Sequence, residues 1–108
     1  MPNHVAVLRV ESGLFFANAD TVRERVLAAS QGRRAVVLDA ETVPFIDVTA
    51  AQMLLALHDE LSRRGVRLLI ARDVARVRDV LQRMDADSPP EVYPTVAAAV
   101  AAVTATVG

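Results

Sequence analysis

The sequence predicts an α/β sandwich: a mixed central sheet of four to five strands with about four helices packed against it, in one domain over residues 1–108. Three observations carry this expectation. Short runs rich in Val, Leu and Ile recur at residues 5–10, 35–38 and 66–71, each of strand length. Between them lie longer segments whose apolar residues recur at helical spacing, with capping residues ahead and glycines behind. A chain of 108 residues also has the size of a single independently folding unit. Strands alternating with helices need crossover connections, so the central strands should be parallel.

Taken in order, residues 5–10 alternate loosely as a first strand, and Glu11, Ser12 and Gly13 supply turn residues before a second apolar run at 14–17. The simplest expectation is an opening hairpin. Asn18 and Asp20 are helix caps; beyond them Val22, Val26, Leu27 and Ser30 share one side of a first helix that Gly32 closes, with Arg23, Glu24 and Arg25 toward water. Residues 35–38 form the next strand. A second helix follows over about residues 48–64, with Ala50, Leu54, Leu57 and Leu61 as its stripe, Met53 at the stripe's edge and Gly65 just past its end. Residues 66–71 are a further strand, and Asp73 caps a third helix carrying Val74, Val77, Leu81 and Met84 on one side. Residues 85–91, with two prolines and three acids, read as a loop. Val92 and Tyr93 make a last short strand, after which Thr95 caps a helix over 96–107 with Val96, Val100, Val103 and Val107 on its buried face.

Composition excludes several function classes. Hydrophobic residues make up 53% of the chain, yet no apolar run reaches the roughly 18 residues that a membrane span requires. Residues 1–5 lack the basic flank and apolar stretch of a signal peptide, so a cytoplasmic setting is expected. The absence of Cys removes disulfides, thiol nucleophiles and zinc-thiolate sites, and suits an extracellular domain equally well. A net charge of -1 and a pI near 6.1 argue against nucleic acid as a partner. All 12 basic residues are Arg, which rules out a Schiff-base or phosphate-loop lysine and leaves guanidinium groups as the cationic means of holding phosphate.

Polar chemistry concentrates where the strand at 35–38 feeds the second helix. Asp47 and Thr49 lie one residue apart beside the N–H groups that a helix leaves unpaired in its first turn. Asp47 reads as a helix N-cap worth about 1 kcal/mol, and this is compatible with a role at a ligand site. Thr49 would meet free N–H groups and the positive helix end if phosphorylated; a local hydroxyl-to-backbone bond is its default. Ile46, Asp47, Val48, Thr49 and Ala50 are therefore the candidate anion-binding segment, with Arg72 reaching the same sheet edge if its strand is parallel to the one before. Asp39 and Glu41 could converge with Asp47 on a divalent ion, but solvated loop acids are the expected reading, and no metal site is assigned. His58, Asp59 and Glu60 are consecutive on one helix and do not share a face, so they read as solvated surface. No serine has a base at recognisable spacing, and no catalytic residue is assigned.

Two stretches carry a family resemblance. Leu14-Phe15-Phe16-Ala17-Asn18-Ala19 leading into Val22-Arg23-Glu24-Arg25-Val26, and Val37-Leu38-Asp39 through Ile46-Asp47-Val48-Thr49-Ala50, resemble the STAS domain. The similarity continues through Leu61-Ser62-Arg63-Arg64-Gly65-Val66 and Tyr93-Pro94-Thr95-Val96, and the Phe-Phe-Ala-Asn stretch looks like the branch found in SulP-family sulfate and anion transporters. In the other branch, the anti-sigma-factor antagonists, an Asp-Ser-Ser/Thr-Gly motif is phosphorylated at its second hydroxyl residue. Asp47 matches the Asp and Thr49 the phosphorylated position, while Val48 and Ala50 depart from the Ser and Gly. The resemblance implies a non-catalytic cytoplasmic domain needing no cofactor and binding a purine nucleotide, GTP, GDP or ATP, near this loop. It also implies a partner: the transmembrane domain of the same transporter or another cytoplasmic protein. The alternative it leaves is a free-standing antagonist switched at Thr49.

Overall fold

A computed structural model of the chain describes residues 4–10, 16–41, 48–72, 79 and 90–107. The described strands are β1 (Val5–Arg9), β2 (Ala35–Asp39), β3 (Arg67–Ala71) and β4 (Glu91–Tyr93), and the described helices are α1 (Phe16–Ser30), α2 (Val48–Arg63) and α3 (Val96–Val107). The strands lie side by side in the order β1-β2-β3-β4, and every described pairing is parallel. The sheet was expected to be mixed because a hairpin was expected at its start. Instead β1 pairs with β2 in parallel, Val5 opposite Ala35 and Arg9 opposite Asp39. Phe16 and Ala17, assigned by pattern to a strand, are the first residues of α1; residues 14 and 15 lie outside the described residues. The reason is visible in α1's buried side. Ala19, Val22, Val26 and Ser30 are all buried, so the stripe begins at Ala19 and the helix cannot be capped at Asp20; it starts before both expected caps, at Phe16.

Strand order that advances in one direction, with the same crossover hand throughout, places the connecting helices on one face. Accordingly α1 and α2 pack together over Val36, Leu38, Leu68 and Ile70, burying Val22, Val26, Ala50, Leu54, Leu57 and Leu61. The opposite face, Ala35, Val37, Leu69 and Ala71, is covered by α3 through Ala99 and Val103. This two-sided cover explains why β2 is apolar without alternation, its first four residues all buried. On α3 the sequence pointed to Val100, but Ala99 is the fully buried residue and Val100 only partly so. A methyl group at the contact lets a helix sit close to the sheet, and the larger valines flank it. Val7, on the edge strand's α3 side, stays 47% exposed because α3 lies chiefly over β2, β3 and β4.

Helix ends follow the punctuation. Gly65 has φ 77°, Gly65 N–H donates to Ser62 O (3.0 Å) and Val66 N–H to Leu61 O (2.9 Å). That pair of bonds is the Schellman closure, with Val66 and Leu61 supplying the apolar contact that accompanies it. Gly32, at φ 73°, turns the chain after α1. The expected third helix over Val74, Val77, Leu81 and Met84 lies outside the described residues, except that Asp79 is helical and exposed. Glu91, expected in the preceding loop, is the first residue of β4.

Candidate functional site

The site predicted from sequence lies at the C-terminal edge of the sheet, where all four strands end together. Hydrogen bonds carry the parallel register one residue past the strands: Val10 N–H donates to Asp39 O, Ala40 N–H to Ala71 O and Arg72 N–H to Tyr93 O, each at 2.9 Å. β3 is parallel to β2, so Arg72 shares this edge with the end of β2 and the start of α2. The Arg72 side chain is withdrawn into the protein, with 4% of the residue exposed. Ile46 and Asp47 lie outside the described residues. Val48, Thr49 and Ala50 open α2 and differ sharply: Val48 is 60% exposed, Thr49 is exposed, and Ala50 is fully buried against the core. The first turn of α2 contains no acidic residue.

The other helix start at this edge is occupied differently. Thr95 Oγ1 accepts Ala98 N–H at 3.1 Å, the N-cap expected from sequence. A second acceptor was not expected: Glu41 Oε1 takes Val96 N–H at 3.0 Å across 55 residues. Its backbone is fixed by a turn in which Asp39 Oδ1 accepts Glu41 N–H at 3.2 Å. The acids that might have gathered with Asp47 around an ion thus have local work, one shaping the turn and the other meeting the positive end of α3. Among the described residues no three His, Cys, Asp or Glu side chains form a group able to hold a metal. Nothing in the sequence pattern announces the Glu41 contact, because it depends on β2 and α3 converging in space.

Among the described residues, an electrostatic cluster links β3 to β4. Arg67 donates through Nε and NH2 to both oxygens of Glu91, at 2.9 and 2.6 Å, and Tyr93 Oη donates to Glu91 Oε1 at 2.8 Å. The Arg67 hydrogen bond holds the Glu91 carboxyl below its ordinary value, aided by the Tyr93 bond and opposed by burial. Reciprocally, the Glu91 hydrogen bond raises Arg67 and raises the Tyr93 phenol. The fork joins the first residue of β3 to the first of β4, which lies opposite Leu69, and Tyr93 extends it to the edge where Arg72 N–H meets the Tyr93 carbonyl, so the cluster stabilises the β3–β4 pairing. On the helical face Arg23, expected to point to water, bonds Glu60 at 2.7 Å, and Glu60 also holds Arg64 at 3.0 Å; this ties α1 to α2.

The comparisons with known proteins agree with this geometry. The family model of the STAS domain matches residues 2–99. The chain belongs to the STAS domain family. A SulP transporter STAS domain from Vibrio cholerae superposes with a TM-score of 0.73 at 26% identity, covering 99% of this chain and 86% of that one. A sulfate transporter family protein from Wolinella succinogenes has the same fold, with a TM-score of 0.81 at 23% identity, covering 99% and 90% of the two chains. Sulfate transporter 2.2 of Arabidopsis thaliana is 33% identical over 86% of this chain. This STAS chain spans 16% of that relative's length. No helix among its described residues is long and apolar enough to cross a membrane.

Proposed function

We propose that this STAS domain is the cytoplasmic regulatory and assembly module of a SulP-type transporter of sulfate or another anion, itself without catalytic activity. The observation that carries the proposal is the start of α2: an exposed Val48 and an exposed Thr49 stand on a helix whose other face is packed in the core, at the sheet edge where α/β folds present binding surfaces. In this reading the 60% exposed Val48 and the neighbouring Thr49 hydroxyl meet the transmembrane domain of the same transporter, or another cytoplasmic protein. The family relationship to SulP domains supports the first. Membrane fractionation tests the proposal. In native cells an antibody to this chain should detect a membrane-integral protein several times larger than 11.6 kDa, and a soluble species of that mass alone would overturn it.

In this reading the same edge binds a purine nucleotide weakly, GTP, GDP or ATP, through the candidate segment Ile46, Asp47, Val48, Thr49 and Ala50, the first-turn N–H groups of α2 meeting the phosphates, with Arg72 at the same edge. Titration should move the amide signals of residues 46–51; movement confined to the other end of the strands would refute the site. A second reading is favoured by one observation, the exposure of the Thr49 hydroxyl in a first turn that carries no acid. A kinase could reach it, and the chain would then be an antagonist that exchanges partners on phosphorylation. Release of a bound anti-sigma factor by phosphorylation of Thr49 would select that reading.

A further inference from the structure

We propose that the end of the domain opposite the candidate site is a docking surface for anionic phospholipid headgroups. The proposal rests on the transporter reading for its reason to meet a bilayer, and on the following geometry for its chemistry. β2 and β3 are neighbours that begin in register, Ala35 opposite Arg67, so the turns that precede them lie side by side. Arg67 N–H donates to Arg34 O at 2.9 Å, and Arg34 N–H to His4 O at 2.7 Å, which brings the chain before β1 to the same place. Each turn carries an arginine pair, Arg33-Arg34 after α1 and Arg63-Arg64 at the end of α2. Arg34, Arg63, Arg64 and His4 are exposed, and Arg33 partly so.

Among the described residues the arginines here outnumber the acids that pair with them. Arg33 donates to the neutral Ala29 carbonyl at 2.7 Å, which leaves its charge in place. Glu60 is shared between Arg64 and Arg23, and Glu91 is held by Arg67. Asp59, the other acid of α2, makes no ion pair with Arg63 among the described residues. Arginines in a helix's last turn complement its dipole, which accounts for Arg63 and Arg64 but not for Arg34, which directly precedes β2. Gln31, Gly32, Ser62 and Gly65 beside them are also exposed, and none carries a charge or a bulky apolar group that would hold a flat surface off. The chain as a whole carries -1, so the exposed arginines form a local basic patch and not the surplus of a general polyanion binder.

The 108-residue chain should co-sediment with phosphatidylcholine vesicles that contain phosphatidylserine, in a salt-sensitive manner, and not with phosphatidylcholine alone. Each arginine near an anionic bilayer strengthens partitioning by about fivefold, so the Arg34→Gln/Arg63→Gln double variant should bind about 25-fold more weakly with its melting temperature unchanged. Arg25→Gln, exposed on α1, should bind like the parent chain. Equal binding to neutral vesicles, or unaltered binding by the double variant, would overturn the proposal. So would full competition by polyglutamate or inorganic phosphate at matched charge, which would assign the surface to an acidic protein or a free anion. Pure lipid and the isolated chain are used, so failure here leaves the transporter reading standing, and failure of the fractionation experiment leaves lipid binding intact.

Discussion

Adjacent positions at the start of α2 should respond to the same substitution in opposite ways. Thr49 is exposed in the first turn, whereas Ala50 is fully buried between α2 and the sheet. Thr49→Glu places a carboxylate at the positive helix end, a gain of about 0.3–1 kcal/mol, and replaces a β-branched residue with a better helix former, a few tenths more. Coulomb repulsion from Asp47, two residues earlier in sequence, offsets part of that gain. For a domain of this size 1 kcal/mol moves the melting temperature by about 4 °C, so the expected change lies between roughly 0 and +4 °C. Ala50→Glu forces a longer side chain into a packed site and removes a charge from water, together costing about 4 kcal/mol or more. A native stability of about 5–15 kcal/mol leaves little after that loss, and the variant should melt at least about 15 °C lower or fail to fold. Far-UV circular dichroism melts of both variants make the comparison. A fall of more than about 5 °C for Thr49→Glu, or a native-like melt for Ala50→Glu, would refute the placement of this helix.

Glu41→Ala removes the carboxylate that accepts Val96 N–H and should cost about 0.5–2 kcal/mol in urea denaturation, with faster amide exchange at Val96. Leu57→Ala, at a fully buried position between α2 and the sheet, should cost about 2–5 kcal/mol by the same assay. Glu91 has a depressed folded pKa, so its contribution is complete above its unfolded value and is lost as pH falls through the lower folded value. Stability should therefore decline in acid, and Glu91→Gln should flatten that limb; the side chain is 39% exposed, so the effect belongs with modest surface ion pairs.

Much of the fold was legible because its signals are local. The stripe Ala50, Leu54, Leu57 and Leu61 needs only helical spacing, and the closures at Gly32 and Gly65 need only a residue tolerant of positive φ. The cap at Thr95 is equally local. What sequence reasoning missed depends on partners distant in the chain. Phe16 and Ala17 have strand-like neighbours, and their helical state follows from packing Ala19 and Val22 under the sheet. Glu41 and Val96 are 55 residues apart, and Arg67 and Glu91 are 24 apart; each pair meets only once the strand register is set. At the candidate site the pattern located the helix start and the shared edge with Arg72. The stripe also put Ala50 on the buried face, but nothing local showed that Arg72 would be withdrawn to 4% exposure, because that depends on how the elements pack around the edge.

The central claim is that the exposed start of α2 is the contact surface of a transporter's STAS domain. Photo-cross-linking from position 49 tests it most directly: Thr49→Cys, labelled with a benzophenone maleimide in this cysteine-free chain, is irradiated with native membranes and the soluble fraction. The account predicts an adduct with a membrane-embedded protein, absent when the label is placed on an exposed residue away from both ends, such as Arg25 on α1. An adduct formed only with a soluble protein, or equal adducts from both positions, would contradict it.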